Sequence, residues 1–421
     1  MRAVAVCIAV LSVLAFHLAA PTIAEATPRM SAASGAPCTT CHYSSDGGGI
    51  RSEVGFGNQI DNVAFDYEDL GINFLAEQDT NFLADWLAVG VDTRVQAARL
   101  GQPQMVPADE GEPGELETRM PDRQIFPMQF QPRVAVFPNE WLTVLASWAV
   151  GPGMLEEDAD IGRRLCSGTY DGQMCGEIAA QFDFDPSLPN FHAGLFRPNI
   201  GIRHDDHTML VDADASRPRT EVIPPNYAEL GVEGYYQPRH WFRADAGVYR
   251  SDQLADALND SEMVQPGDPA ALARVTLYHP FEAFEESFFS WAGVSTYASG
   301  HLRGEGNFRT DKAFFGLGML DRGSLLLDIA HLDFRGADTR RGFNASTTLS
   351  VELLDWLVAH TRVEQATTWR EASDTAQIRQ QAVAGVQVYP IPFVKLQPEY
   401  RYTRTNDWHM GQYAVQLHMF F

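Results

Sequence analysis

Cys38-Thr39-Thr40-Cys41-His42 holds two thiols three positions apart, with an imidazole directly after the second. That spacing suits covalent haem attachment, because each thiol adds to one vinyl group and the adjacent imidazole then meets the iron. Two other chemistries use such cysteines: a thioredoxin-like redox pair and half of a zinc site. A redox pair opens a helix after a strand, and nothing before Cys38 reads as a strand. A zinc site needs two more ligands at similar spacing, and no second Cys-rich pair follows. Cys38 and Cys41 are therefore the expected anchors of one haem c, with His42 as its axial ligand. The distal ligand stays open. No methionine or histidine lies between Tyr43 and Gln104. The candidates are Met30 just upstream, Met105, a histidine from later in the chain, or an open sixth position. An axial methionine raises the potential and a histidine lowers it.

A second cluster is Arg203-His204-Asp205-Asp206-His207. His204, Asp205, Asp206 and His207 are reasonable ligands for ferrous iron or another divalent cation. On an extended strand His204 and Asp206 share one face while Asp205 and His207 share the other, so all four converge only in a turn. The competing reading is a solvated loop. Cys166 and Cys175 can close a small disulfide loop in an oxidising compartment. No phosphate-binding loop, nucleotide fingerprint, nucleophile elbow or metalloprotease helix motif is found.

The elements that must position these residues begin with an export signal. Arg2 precedes an apolar run from Ala3 to Ala20, and Ala24-Glu25-Ala26 supplies small residues for cleavage before Thr27. An uncleaved anchor is the alternative, although His17 breaks the run. Both haem attachment and disulfide formation suit the bacterial periplasm or beyond. The 421 residues carry a net charge of −24, which argues against nucleic acid because phosphates would be repelled. After the signal no apolar run of about 20 residues occurs, so the remaining way to cross lipid is a closed barrel.

From residue 85 onward, segments of about ten residues alternate apolar and polar, punctuated by Gly, Pro, Asn and Asp. In the first, Leu87, Val89, Val91, Val95 and Ala97 alternate with Asp92, Arg94 and Gln96, one face for lipid and the other for a polar interior. The pattern predicts about sixteen antiparallel strands, the fifth over 190–203 and the last over 409–421. Every second link is short, beginning with Pro138-Asn139-Glu140, and those at 100–122, 151–175, 204–225 and 252–270 are long, polar and expected outside the cell. The chain thus divides into a signal peptide (1–26), a monohaem cytochrome c segment (27–82) and an outer-membrane β-barrel (83–421). A soluble sandwich or propeller is the competing fold. Tyr413, Val415, Leu417, Met419 and Phe421 share one face, which resembles the C-terminal signal read by the barrel assembly machinery.

A signal, one haem motif and a strand-rich remainder ending in an aromatic together resemble the fused cytochrome-porins of the outer membrane, best known as extracellular iron oxidases. The carry-over by residue is confined to Cys38, Cys41 and His42. The resemblance implies a Gram-negative outer-membrane protein that passes electrons between an extracellular donor such as Fe(II) and a periplasmic c-type cytochrome, with the haem at the periplasmic end or inside the barrel. The alternative is a porin channel or sheath whose haem segment is a plug, a sensor or a docking handle for a multihaem cytochrome.

Overall fold

The computed structural model describes residues 31–32, 41–44, 49–56, 81–100, 104–107, 116–119, 123–148, 176–184, 188–204, 209–216, 222–223, 227–258, 262–283, 286–300, 306–319, 322–336, 339–371 and 375–420. The signal region, Cys38, Met30, Cys166, Cys175, Asp205, Asp206, His207 and Phe421 lie outside these residues.

β1 (Phe82–Ala84) is a short hairpin partner of β2 (Leu87–Leu100). β3 (Gln104–Pro107) and β4 (Leu116–Arg119) pair with each other in the link that follows. The wall continues with β5 (Arg123–Asn139), β6 (Leu142–Ser147), β7 (Glu177–Phe182), β8 (Asn190–Phe196), β9 (Glu229–Arg239) and β10 (Phe242–Arg250). After α1 (Asp252–Leu258) come β11 (Pro269–Ala283), β12 (Glu286–Gly300), β13 (Asn307–Met319), β14 (Gly323–Arg335) and β15 (Arg340–Leu354). β16 (Leu357–Arg370), β17 (Gln377–Ile391), β18 (Val394–Thr405) and β19 (His409–Phe420) complete it. β19 pairs antiparallel with β2, Gln412 facing Leu100 and Phe420 facing Asp92, so sixteen strands close on themselves and no edge is left.

The alternation in β2 falls as expected: Asp92, Arg94 and Gln96 are buried in the interior while Val89, Val91 and Val95 face out. In β19, Tyr413, Val415 and Met419 are exposed on the outer face and His418 points inward. A belt of outward Val, Leu, Ile and Phe is flanked by Trp86, Trp141 and Trp241 at one end and Trp369, Trp408 and Tyr413 at the other. That is the pattern lipid demands of a spanning barrel. Val363 lies midway along β16 on the exposed outer face. Val363→Arg is expected to cost about 2–4 kcal/mol in a bilayer, read by urea unfolding in lipid vesicles. An unchanged midpoint would show that this face does not meet lipid.

Among the links expected to be short, those at Asn139/Leu142, Arg239/Phe242, Ala283/Glu286, Leu354/Leu357 and Ile391/Val394 are tight. In this barrel class the short turns are periplasmic. Expectations for one strand and two links, 204–225 and 252–270, are corrected. The fifth wall strand, expected over 190–203, ends at Phe196, because Pro198 has no N–H to give the ladder and Gly201 takes a positive φ of 62°. The link after it does not project outward: its described residues turn into the lumen. A further internal core, built from Phe196, Tyr249, Leu254, Leu258, Met263, Phe308 and Phe334, packs α1 and the links against the inner wall.

Candidate functional site

Besides α1, two described segments enter the lumen. The first carries the haem-type motif. Cys41 to Ser44 and Gly49 to Ser52 form a small hairpin, with His42 bridged to Arg51 and the Tyr43 amide donating to the Ile50 carbonyl at 3.3 Å. The Ser52 amide donates to the Cys41 carbonyl at 3.0 Å, and one helical turn follows to Phe56. A Cβ at Gly55 would collide with the Cys41 carbonyl, so only glycine lets that turn fold back on the motif.

The barrel grips this hairpin at its short-turn end. The Arg133 guanidinium donates to the Gly49 carbonyl at 3.0 Å, and the Asn81 side-chain amide donates to the Arg51 carbonyl at 3.1 Å. Arg51 lies 5.0 Å over the Phe420 ring, Tyr43 packs on Phe137 and Phe56 packs on Phe393, each pair with ring centroids 4.8 Å apart. Phe393 has φ 63° in the β17–β18 turn, a position that usually takes glycine, so a strained residue supplies the docking ring. Ile50 is buried with Ala88, Ala135 and Leu145 of the wall. Burial pushes the Tyr43 hydroxyl up to about 12, with the Glu53 charge adding to the effect, so it stays neutral.

Ala32 is buried against Tyr278, Phe289, Trp291, Phe314 and Leu326, on β11 to β14. Those strands stand across the barrel from β2 and β5. The N-terminal segment therefore touches opposite walls of the lumen.

The donor set fits haem c in kind. Cys41 offers a thiol beside the His42 imidazole, which is 6% exposed with both ring nitrogens shielded from solvent. Aromatic rings of Tyr43, Phe82 and Phe137 and the guanidiniums of Arg51 and Arg133 stand around the hairpin. Met105 lies on β3, in the link at the far end of β2 from this hairpin. His418 is the barrel histidine that contacts connect to it: its ring is 4.7 Å from Phe420, and its Nε2 lies 3.0 Å from Asp92.

The second segment, described over 197–204 and 209–216, meets the inner wall from β10 to β16. Asn199 donates to Asp245 at 3.1 Å, and the Gly201 amide donates to Ser295 at 3.0 Å. His204 sits 3.3 Å from Asp328. Asp212 receives the Lys312 ammonium at 2.8 Å, the Leu210 amide donates to Glu364 at 3.0 Å and the Ala215 amide donates to Thr368 at 3.0 Å. The Gly201, Leu210 and Ala215 amides of this inward link are thus satisfied by wall side chains. Of the cluster singled out in the sequence, His204 is engaged by Asp328, whose carboxylate also lies 3.6 Å from Lys312. No group of three metal-ligating side chains forms among the described residues.

Sequence reasoning missed the pairing of lumen charges. Asp92–Arg94 (3.0 Å), Arg243–Asp245 (2.5 Å), Arg362–Glu364 (2.8 Å) and Glu399–Arg401 each join residues two apart on one strand. A period of two puts both on the inner face, so an Arg and an acid two apart in a strand, in either order, was the available signal. The arrangement gives an interior lined by paired charges and narrowed from two directions.

The outer-membrane channel DcaP of Acinetobacter baumannii is similar in structure, with a TM-score of 0.52 at 12% identity over 81% of this chain and 100% of that one. OprB of Pseudomonas putida, solved at high pH, gives 0.50 at 8% identity over 86% and 99%. No protein-family profile and no curated protein matches the sequence. At such identities the likeness speaks for fold. Together with the apolar belt, it gives the chain the fold of an outer-membrane porin, a closed barrel of sixteen antiparallel strands.

Proposed function

We propose that this porin-type barrel is closed at its periplasmic end by its own N-terminal segment, and that this segment carries one haem c on Cys38, Cys41 and His42. The observation that supports the reading is the seat of the Cys41–Phe56 hairpin inside the short-turn end, held by Arg133, Asn81, Phe393 and Phe420. The barrel then acts as a sheath around a plug. When bound, haem c supplies one-electron oxidation and reduction. His42, itself buried, would offer its imidazole to the iron. Arg51 and Arg133 offer positive charge to carboxylate groups, and the neutral Tyr43 hydroxyl adds none.

A second reading is exchange of electrons between an extracellular donor such as Fe(II) and a periplasmic c-type cytochrome. The specific observation favouring it is that His42 stands at the short-turn end, the end that such barrels turn to the periplasm. One experiment addresses both. The purified full-length protein, denatured in detergent, is expected to keep a haem stain at its own band and to lose it in the Cys38→Ser/Cys41→Ser variant. No haem bands in the native protein would sink the haem assignment. Native protein mixed with Fe(II) in stopped flow then separates the readings: reduction supports the conduit, and none leaves the plugged sheath.

A further inference from the structure

The outer wall carries a group of charges where a lipid-facing surface should have few. Arg309 and Asp311 on β13, His331, Asp333 and Arg335 on β14, and Arg341 on β15 all point outward near the long-link end. Register places them in rows. Arg309, Asp333, Arg341 and Trp369 stand side by side on four adjacent strands, and Asp311, His331 and Phe343 form the row beneath. Outward rows repeat about every 6.8 Å and neighbouring strands lie about 4.8 Å apart, so the guanidiniums bracket one compact patch. The next row down is Ala313, Ile329 and Ala345, and the one below it includes Phe315 and Leu327. The patch therefore sits at the upper rim of the apolar belt, level with the exposed rings of Trp369 and Phe343. Aromatic side chains at that level mark the head-group zone.

Three arginines and a histidine oppose two aspartates here, in a chain whose net charge is −24. Arg341, Arg309 and Arg335 are 68%, 56% and 55% exposed, with Arg309 paired to Asp311 at 2.8 Å. Asp333 is only 11% exposed and lies 2.8 Å from the Arg335 guanidinium and 3.9 Å from that of Arg341, taking one edge of each fork while the remaining N–H groups face out. Exposed ion pairs of this kind contribute ~0–1 kcal/mol to stability, so folding does not account for the patch. Guanidinium forks match phosphate oxygens two at a time.

The geometry points to a docking site for the phosphorylated head group of an outer-leaflet glycolipid, its phosphate taken by Arg309, Arg335 and Arg341 with Trp369 and Phe343 against the upper acyl region. The assignment commits to a lipid, because the patch faces sideways from the wall at head-group depth rather than into the lumen. It is independent of the haem reading.

The test is native mass spectrometry of the full-length protein in detergent, with a bis-phosphorylated glycolipid, its dephosphorylated analogue and inorganic phosphate as probes. Wild type is expected to retain the phosphorylated lipid and not the analogue. Arg309→Gln/Arg341→Gln is expected to weaken retention by about tenfold or more, as for loss of charge-assisted bidentate contacts, while Arg404→Gln on β18 leaves it unchanged. Equal retention of both lipids, unchanged retention in the double variant, or full displacement by millimolar inorganic phosphate would overturn the assignment. A change of oligomeric state in the double variant would also overturn it, by making the patch a contact between copies. If the double variant does not fold, the comparison of the two lipids on wild type decides.

Discussion

Lys312→Met is expected to lower the unfolding free energy of the barrel by about 3–5 kcal/mol, the range for removing one partner of a buried charge pair. The Lys312 side chain is fully buried, and its ammonium lies 2.8 Å from both carboxylate oxygens of Asp212 and 3.6 Å from Asp328. Methionine keeps the stem and its packing beneath Gly201, where an added Cβ would strike the lysine chain. What disappears is charge, leaving two carboxylates enclosed with His204 3.3 Å from one of them. Asp212 belongs to the inward link and Asp328 to the wall, so the loss also unfastens the link. Urea unfolding should show the shift, and limited proteolysis should cut within 197–216 in the variant but not in wild type. Asp212→Asn and Asp328→Asn added to Lys312→Met should restore much of the loss, since a neutral site leaves no charge uncompensated. A change no larger than that of an exposed pair, about 0–1 kcal/mol, would show that the triad is solvated and does not hold the link.

The sequence carries the wall more fully than it carries the lumen, and the reason lies in the range of the interactions. Leu87 to Ala97 announces a strand because each outward residue must suit lipid on its own account, whatever its neighbours do. Alternation of tight and long links likewise needs only local turn residues, as at Pro138-Asn139-Glu140. The interior obeys no such local rule. Asp92 gathers Arg133 from 41 residues away and His418 from 326 away, and nothing near Asp92 announces either. The strand expected to run to Arg203 instead stops at Phe196; Pro198 and Gly201 were visible, but which way the chain then turns depends on Asp245, Ser295 and Asp328 of distant strands. The haem-type motif is the reverse case. Its chemistry is legible in five consecutive residues, whereas its seat is not, because Arg51 meets Phe420 and Phe56 meets Phe393 only once the barrel has closed.

That seat yields the other large expected effect. Full-length protein in a planar bilayer should pass little current, and removal of residues 27–56 should open steps of porin size, since barrels of sixteen strands leave an aqueous channel unless something fills it. The segment is held by Ala32 on β11–β14 and by Ile50 on β2, β5 and β6, so its removal frees both of those walls at the short-turn end. Point variants should grade the effect. Arg133→Ala removes the bond to the Gly49 carbonyl and should make the closed state flicker. Phe393→Gly separates docking from folding: glycine relieves the positive φ, worth roughly 1–2 kcal/mol, yet deletes the ring on which Phe56 rests. The expected result is a barrel that unfolds at higher urea but leaks more, a combination that general damage to the barrel cannot produce. If truncation leaves the current unchanged, the N-terminal segment is not the closure. The inward link anchored by Lys312 and Arg274 would then be the remaining obstruction, and Lys312→Met, which loosens that link alone, should raise the current where the truncation did not.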